Sequence, residues 1–93
     1  MDKEYLLLLR LNTARGEELV GKFFLGHDAE KAYALFKQLD GDQVPAPGHL
    51  IFFEFIEVAD GLPVNLHLVA CNLEQASCNF KTLVKELFKS SLV

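Results

Sequence analysis

The sequence predicts a two-layer α+β domain in which ββα occurs twice, one four-stranded antiparallel sheet carrying two helices on one face. Three observations carry this reading. Apolar residues alternate over four segments, 5–11, 19–25, 50–58 and 64–71. Polar, glycine-containing turns join the first segment to the second and the third to the fourth. After each pair, the apolar spacing lengthens to the three- and four-residue steps of an amphipathic helix. With 93 residues, 51% of them hydrophobic and 24% charged, the chain suits one packed core and has no marks of disorder. Residues 1–93 are therefore read as a single domain of two units, 4–41 and 49–90.

In the first hairpin, Ala14-Arg15-Gly16 is read as a three-residue loop with Gly16 at positive φ. Leu11 then faces Leu19, Leu9 faces Gly21, Leu7 faces Phe23 and Tyr5 faces Leu25. Asp28, or His27 beside it, caps a helix whose stripe is Ala29, Ala32, Tyr33, Phe36 and Leu39, and Gly41 closes it. Pro45 and Pro47 stiffen the loop that follows.

In the second hairpin, Asp60-Gly61 forms a type I′ turn. Phe55 then pairs with Leu66, Phe53 with Leu68 and Ile51 with Ala70 on one face. Glu54 pairs with His67 and Ile56 with Asn65 on the other. Asn72 caps a last helix from Leu73 to about Lys89, with Leu73, Ala76, Phe80, Leu83, Val84 and Leu87 buried. Lys81, Lys85 and Lys89 form a solvated flank that complements the helix C-terminus.

The first and third strands are the most continuously apolar and belong in the centre. Gly21 in the second and Pro63 opening the fourth suit edges, which gives the order 2-1-3-4. The face away from the helices then carries Leu6, Leu8, Val20, Phe24, Leu50, Phe52, Ile56 and Val69, with Arg10, Lys22, Glu54, Asn65 and His67 among them. A soluble monomer does not usually expose so large an apolar patch.

The expectation from this face is a non-enzymatic assembly module, a homodimer stacked sheet on sheet through Arg10, Lys22, Phe24, Phe52, Glu54, Ile56, Asn65 and His67. The alternative is a regulatory domain that holds a small apolar or anionic ligand, or a peptide, on the same face. An enzyme built on His67 as base and Glu54 as its orienting carboxylate comes third and lacks a nucleophile.

Other chemistry is poorly supplied. Gly16 to Lys22 matches the first seven positions of a phosphate-binding loop, but Phe23 stands where a hydroxyl must reach magnesium and the segment lies in a strand. Cys71 and Cys78 have no metal-type spacing, His67 lies four strand residues from Cys71, and no serine has a glycine elbow. Glu54 and His67 would give a metal two ligands where three or four are needed, so neither metal nor cofactor is expected.

The net charge of −4 and the lack of an aromatic RNA-reading motif argue against nucleic acid. The run MDKEYLLLLRLN is too short to cross a bilayer and has no cleavage site, and both cysteines read as thiols; a cytoplasmic protein without membrane contact is the expectation.

Overall fold

A computed structural model describes residues 2–91, and side chains through residue 87. Strand β1 (Lys3–Thr13) and β2 (Gly16–Gly26) form the first hairpin, followed by helix α1 (Ala29–Phe36). Strand β3 (Ile51–Ala59) and β4 (Leu62–Cys71) form the second, followed by α2 (Leu73–Ser91). All neighbouring strands are antiparallel and their order is β2-β1-β3-β4, as the edge glycine and proline require.

The core lies between the sheet and the two helices. Tyr5, Leu7 and Leu9 of β1 and Phe53 and Phe55 of β3 point into it, meeting Ala32, Leu35 and Phe36 of α1 and Ala76 and Leu83 of α2. Phe53 and Leu7 are fully buried, each worth roughly 1.5–3 kcal/mol in transfer from water.

Helix starts follow their caps. Asp28 Oδ1 accepts from the Glu30 and Lys31 N–H groups at 3.0 and 3.2 Å. Asn72 Oδ1 accepts from the Gln75 N–H at 2.8 Å while Gln75 Oε1 accepts from the Asn72 N–H, a reciprocal capping box. At the second hairpin Asp60 and Gly61 have φ of 54° and 78°, which fits the expected turn.

Three bulges change the register. The first hairpin turns on Ala14-Arg15, with Thr13 opposite Gly16, and its extra residues Val20 and Leu25 leave Arg10 opposite Leu19, Leu11 opposite Glu18 and Tyr5 opposite Gly26. Leu9–Gly21 and Leu7–Phe23 pair as expected. In β4, Leu66 is the extra residue. Ile56 still faces Asn65, but Phe55 faces His67, Glu54 faces Leu68, Phe53 faces Val69 and Ile51 faces Cys71. The expected Glu54–His67, Phe55–Leu66, Phe53–Leu68 and Ile51–Ala70 pairs are not formed.

The helices also depart from expectation. Helix α1 stops at Phe36 instead of running to Leu39; Gln38 and Leu39 donate three residues back, to Leu35 and Phe36, tightening the chain. The segment then runs beside the end of β4, where Asp42 and Ala70 exchange backbone hydrogen bonds at 2.9 and 2.7 Å. On α2, Leu73 and Val84 are exposed and the buried stripe instead includes Asn79. Asn79 Oδ1 accepts from the Asp40 N–H at 2.7 Å, and its Nδ2 donates to the Asp40 carbonyl at 2.8 Å and to Cys71 Sγ at 3.3 Å. This one side chain ties α2 to the chain beyond α1 and to the end of β4. Lys89, expected on the basic flank, lies outside the described side chains.

Candidate functional site

The sheet face opposite the helices has no element packed over it among the described residues. Pairing fixes its side chains. Leu6, Leu8 and Arg10 of β1 sit beside Phe24, Lys22 and Leu19 of β2, and beside Ile56, Glu54 and Phe52 of β3. Asn65, Leu68 and Ala70 of β4 complete the rows. Seven of the eight expected site residues, Arg10, Lys22, Phe24, Phe52, Glu54, Ile56 and Asn65, share this face.

His67 does not. The bulge at Leu66 turns the rest of β4 over, so His67 and Val69 face the helices, and Val69 is buried in the core. In exchange, Leu66 and Leu68 join the outer face. Glu54 and His67 therefore stand on opposite sides of the sheet and cannot act as a carboxylate-oriented base.

The polar centre of the outer face is one network. Arg10 Nε donates to Glu54 Oε1, and Asn65 Nδ2 donates to Glu54 Oε2 at 3.0 Å. The Glu54 side chain keeps only 13% of its exposure, so both its oxygens are satisfied in a largely dehydrated setting. The Nε–H of Arg10 is thus held by Glu54. Around this pair, Leu19, Phe24, Leu50 and Leu66 are 54%, 52%, 48% and 40% exposed. Ile56 lies between them at 2%.

A shallow trough of about 480 Å³ crosses the face, walled by Glu17, Pro45, Phe52, Leu66 and Leu68. Pro45 is held there by a pinned loop. The Ala46 N–H donates to His49 Nδ1 at 2.9 Å, so His49 carries its proton on Nε2 and donates it to Asp42 Oδ2 at 2.8 Å.

Compared with known proteins, the chain matches no family model, no curated protein and no solved structure. Its chemistry must be read from the residues themselves.

On the helix side, Tyr5 donates its hydroxyl to Glu57 Oε2 at 2.9 Å, and that bond, followed by burial and the carboxylate charge, raises its pKa above the usual value. Cys71 is completely buried, and burial above all pushes its thiol up to about 11, against a lowering from the Asn79 amide. Cys71 is thus a poor nucleophile. Cys78 is exposed on α2, and both cysteines are free thiols. No three His, Cys, Asp or Glu side chains among the described residues gather as a metal site. No helix among them is long and apolar enough to cross a membrane.

Sequence reading missed Leu19, Leu66 and Leu68 on the outer face because each is placed there by a bulge. Glu17 was missed for the same reason, since it alternates with Leu19 beyond the same bulge.

Proposed function

We propose that this chain is a non-enzymatic assembly module that pairs with a second copy of itself, outer sheet face to outer sheet face, in the cytoplasm. The carrying observation is that the face is uncovered and rich in exposed large apolar side chains. Replacement of His67 by Leu66 and Leu68 makes it more apolar than alternation alone predicts.

Size and charge support the same reading. Four strands spaced about 4.8 Å apart and about ten residues long give roughly 600 Å² of flat face, before side-chain relief is counted. A stable interface takes roughly 800 Å² from each partner, so the face has the scale of one complete interface. The chain carries a net charge of −4, which opposes self-association in general. On the outer face, however, Arg10 and Lys22 offset two of the three carboxylates Glu4, Glu17 and Glu54, so the like-charge excess there is much smaller than that of the whole chain. Covering the Arg10–Glu54–Asn65 network leaves no donor or acceptor of Glu54 stranded, because all its bonds are internal. The two thiols, on separate elements and unpaired, support a reducing compartment.

Sedimentation equilibrium tests the reading. The dimer is expected at about 20–50 μM, a few-micromolar dissociation constant being ordinary for an interface of this size. Leu19→Lys and Phe24→Lys are expected to give monomers whose melting curves match wild type at concentrations well below the dissociation constant, because both side chains are already about half exposed. A wild-type monomer at that concentration overturns the proposal. Native mass spectrometry distinguishes the second reading, for which the trough is the specific observation: a monomer carrying a bound small molecule would transfer the function from a partner copy to a ligand.

A further inference from the structure

A second cleft, of about 530 Å³, opens on the helix side between α1 and the edge strand β4. It shares only the β4 edge residues His67 and Leu68 with the trough of the outer face. Its walls include Tyr33 and Phe36 from α1, Lys37 at its C-cap, Gln43 from the loop, and His67, Leu68 and Val69 from β4. The volume falls within the usual range for small-molecule sites.

Four rings meet at this cleft in nearly parallel planes. His67 stacks on Tyr33, Phe36 and Phe55 with centroid distances of 5.2, 5.7 and 6.2 Å and interplanar angles of 25°, 25° and 16°. Phe36 and Phe55 stack on each other at 5.2 Å and 15°. The inner two rings are core. The outer two, Tyr33 and His67, are exposed, which leaves the stack open on its solvent side.

The polar tips at the cleft are uncommitted. Among the described residues, no protein group bonds either ring nitrogen of His67, the Tyr33 hydroxyl or the Gln43 amide. Lys37 Nζ lies over the Tyr33 ring, 5.5 Å from its centroid, and has no carboxylate within ion-pair distance among the described residues. The cleft thus joins a flat aromatic surface to one unneutralised ammonium and several free hydrogen-bonding groups.

We propose that this cleft binds a small planar aromatic carboxylate, its ring extending the Tyr33–His67 stack and its carboxylate meeting Lys37. The aromatic surface asks for a ring. The lone cation selects the charge. Gly41 at the rim fixes the wall, since any side chain there would collide with Val69 and the Ala70 carbonyl.

The test is a titration of isotope-labelled protein with 2-naphthoate, and with 2-naphthylmethanol as the uncharged analogue of similar shape, followed by NMR. Saturable shifts at Tyr33, Lys37 and His67 are expected, with 2-naphthoate bound about two- to fivefold more tightly, the worth of one partly exposed charge contact. Lys37→Gln is expected to erase that difference and leave the melting curve and the sedimentation behaviour unchanged, since Lys37 is exposed. Shifts that never saturate, equal affinity for acid and alcohol, or shifts centred on Phe24 and Phe52 overturn the proposal. A monomeric result in sedimentation would overturn the assembly reading alone, so the two can fail separately.

Discussion

Replacing Asn79 tests how much of this small domain hangs on one buried amide. Asn79 is 1% exposed and makes three hydrogen bonds, two to the Asp40 backbone and one to Cys71 Sγ. In Asn79→Ala the Asp40 carbonyl keeps the Cys71 thiol, 3.2 Å away, but the Asp40 N–H loses its acceptor. One stranded backbone donor costs roughly 1–3 kcal/mol and each lost bond about 1 kcal/mol, so the variant should lose about 2–4 kcal/mol. With a slope of about 1.5 kcal/mol per molar urea for a domain of this size, the urea midpoint should fall by about 2 M. The slope itself should not change. Asn79→Asp sharpens the test, because it keeps the acceptor for Asp40 N–H but turns an oxygen on the Asp40 carbonyl. Burial raises the folded-state pKa of that carboxyl above its unfolded value, so the native state binds more protons between the two and the variant's deficit grows as pH rises from about 4 to 7. Val84→Ala, at a position 59% exposed on the same helix, should cost less than about 0.5 kcal/mol. An Asn79→Ala midpoint within about 0.3 M of wild type would refute the reasoning and mean that the Asp40 N–H is satisfied without Asn79.

Gly41→Ala should destabilise by at least about 2 kcal/mol in the same urea assay, since φ is +147° and the new Cβ would lie 2.3 Å from Val69 Cγ1 and 2.8 Å from the Ala70 carbonyl oxygen. That oxygen accepts from the Asp42 N–H and cannot move away freely, so a wild-type midpoint would contradict the described path of the loop. In thiol titration of the native protein with a disulfide reagent, exposed Cys78 should react at once and buried Cys71 only on unfolding. Because the Cys71 pKa rises from 9.0 to about 11 on folding, its stabilising contribution is complete below pH 9 and is lost as pH climbs past 11, at most roughly 2–3 kcal/mol in all. A Cys71→Ser variant that keeps the full alkaline loss would assign it elsewhere, with the raised Tyr5 hydroxyl the next group to examine.

Strand order, the second turn and the caps were legible in the sequence because each depends on local chemistry: Gly21 and Pro63 mark edges, Asp60-Gly61 supplies two positive φ angles, and Asp28 and Asn72 offer oxygens to bare helix N–H groups. The bulges were not. An inserted residue leaves the composition of a strand unchanged, and in β4 the alternation Leu62, Val64, Leu66, Leu68 invites an unbroken ladder with His67 outward. What favours the bulge is tertiary: it delivers His67 to the rings of Tyr33, Phe36 and Phe55, and Val69 and Cys71 to the core. The α2 stripe shows the same limit. Asn79 is polar, and only the position of Asp40, far away in sequence, makes its burial favourable.

The single extra residue in β4 shapes both candidate surfaces at once. Without it, the outer face would hold a histidine opposite Glu54, and the cleft beside α1 would lose one of the rings that Tyr33 stacks on. With it, the outer face keeps a self-contained charge network in an apolar field, which suits a flat partner of like composition. The helix-side cleft gains an aromatic wall with free nitrogens and a nearby cation, which suits a small anion with a ring. The two faces therefore ask for different occupants. Although His67 and Glu54 sit on opposite sides of one sheet, the cleft and the outer trough meet at the edge residues His67 and Leu68, next to the bulge that interrupts the β3–β4 pairing at Phe55 and Ile56.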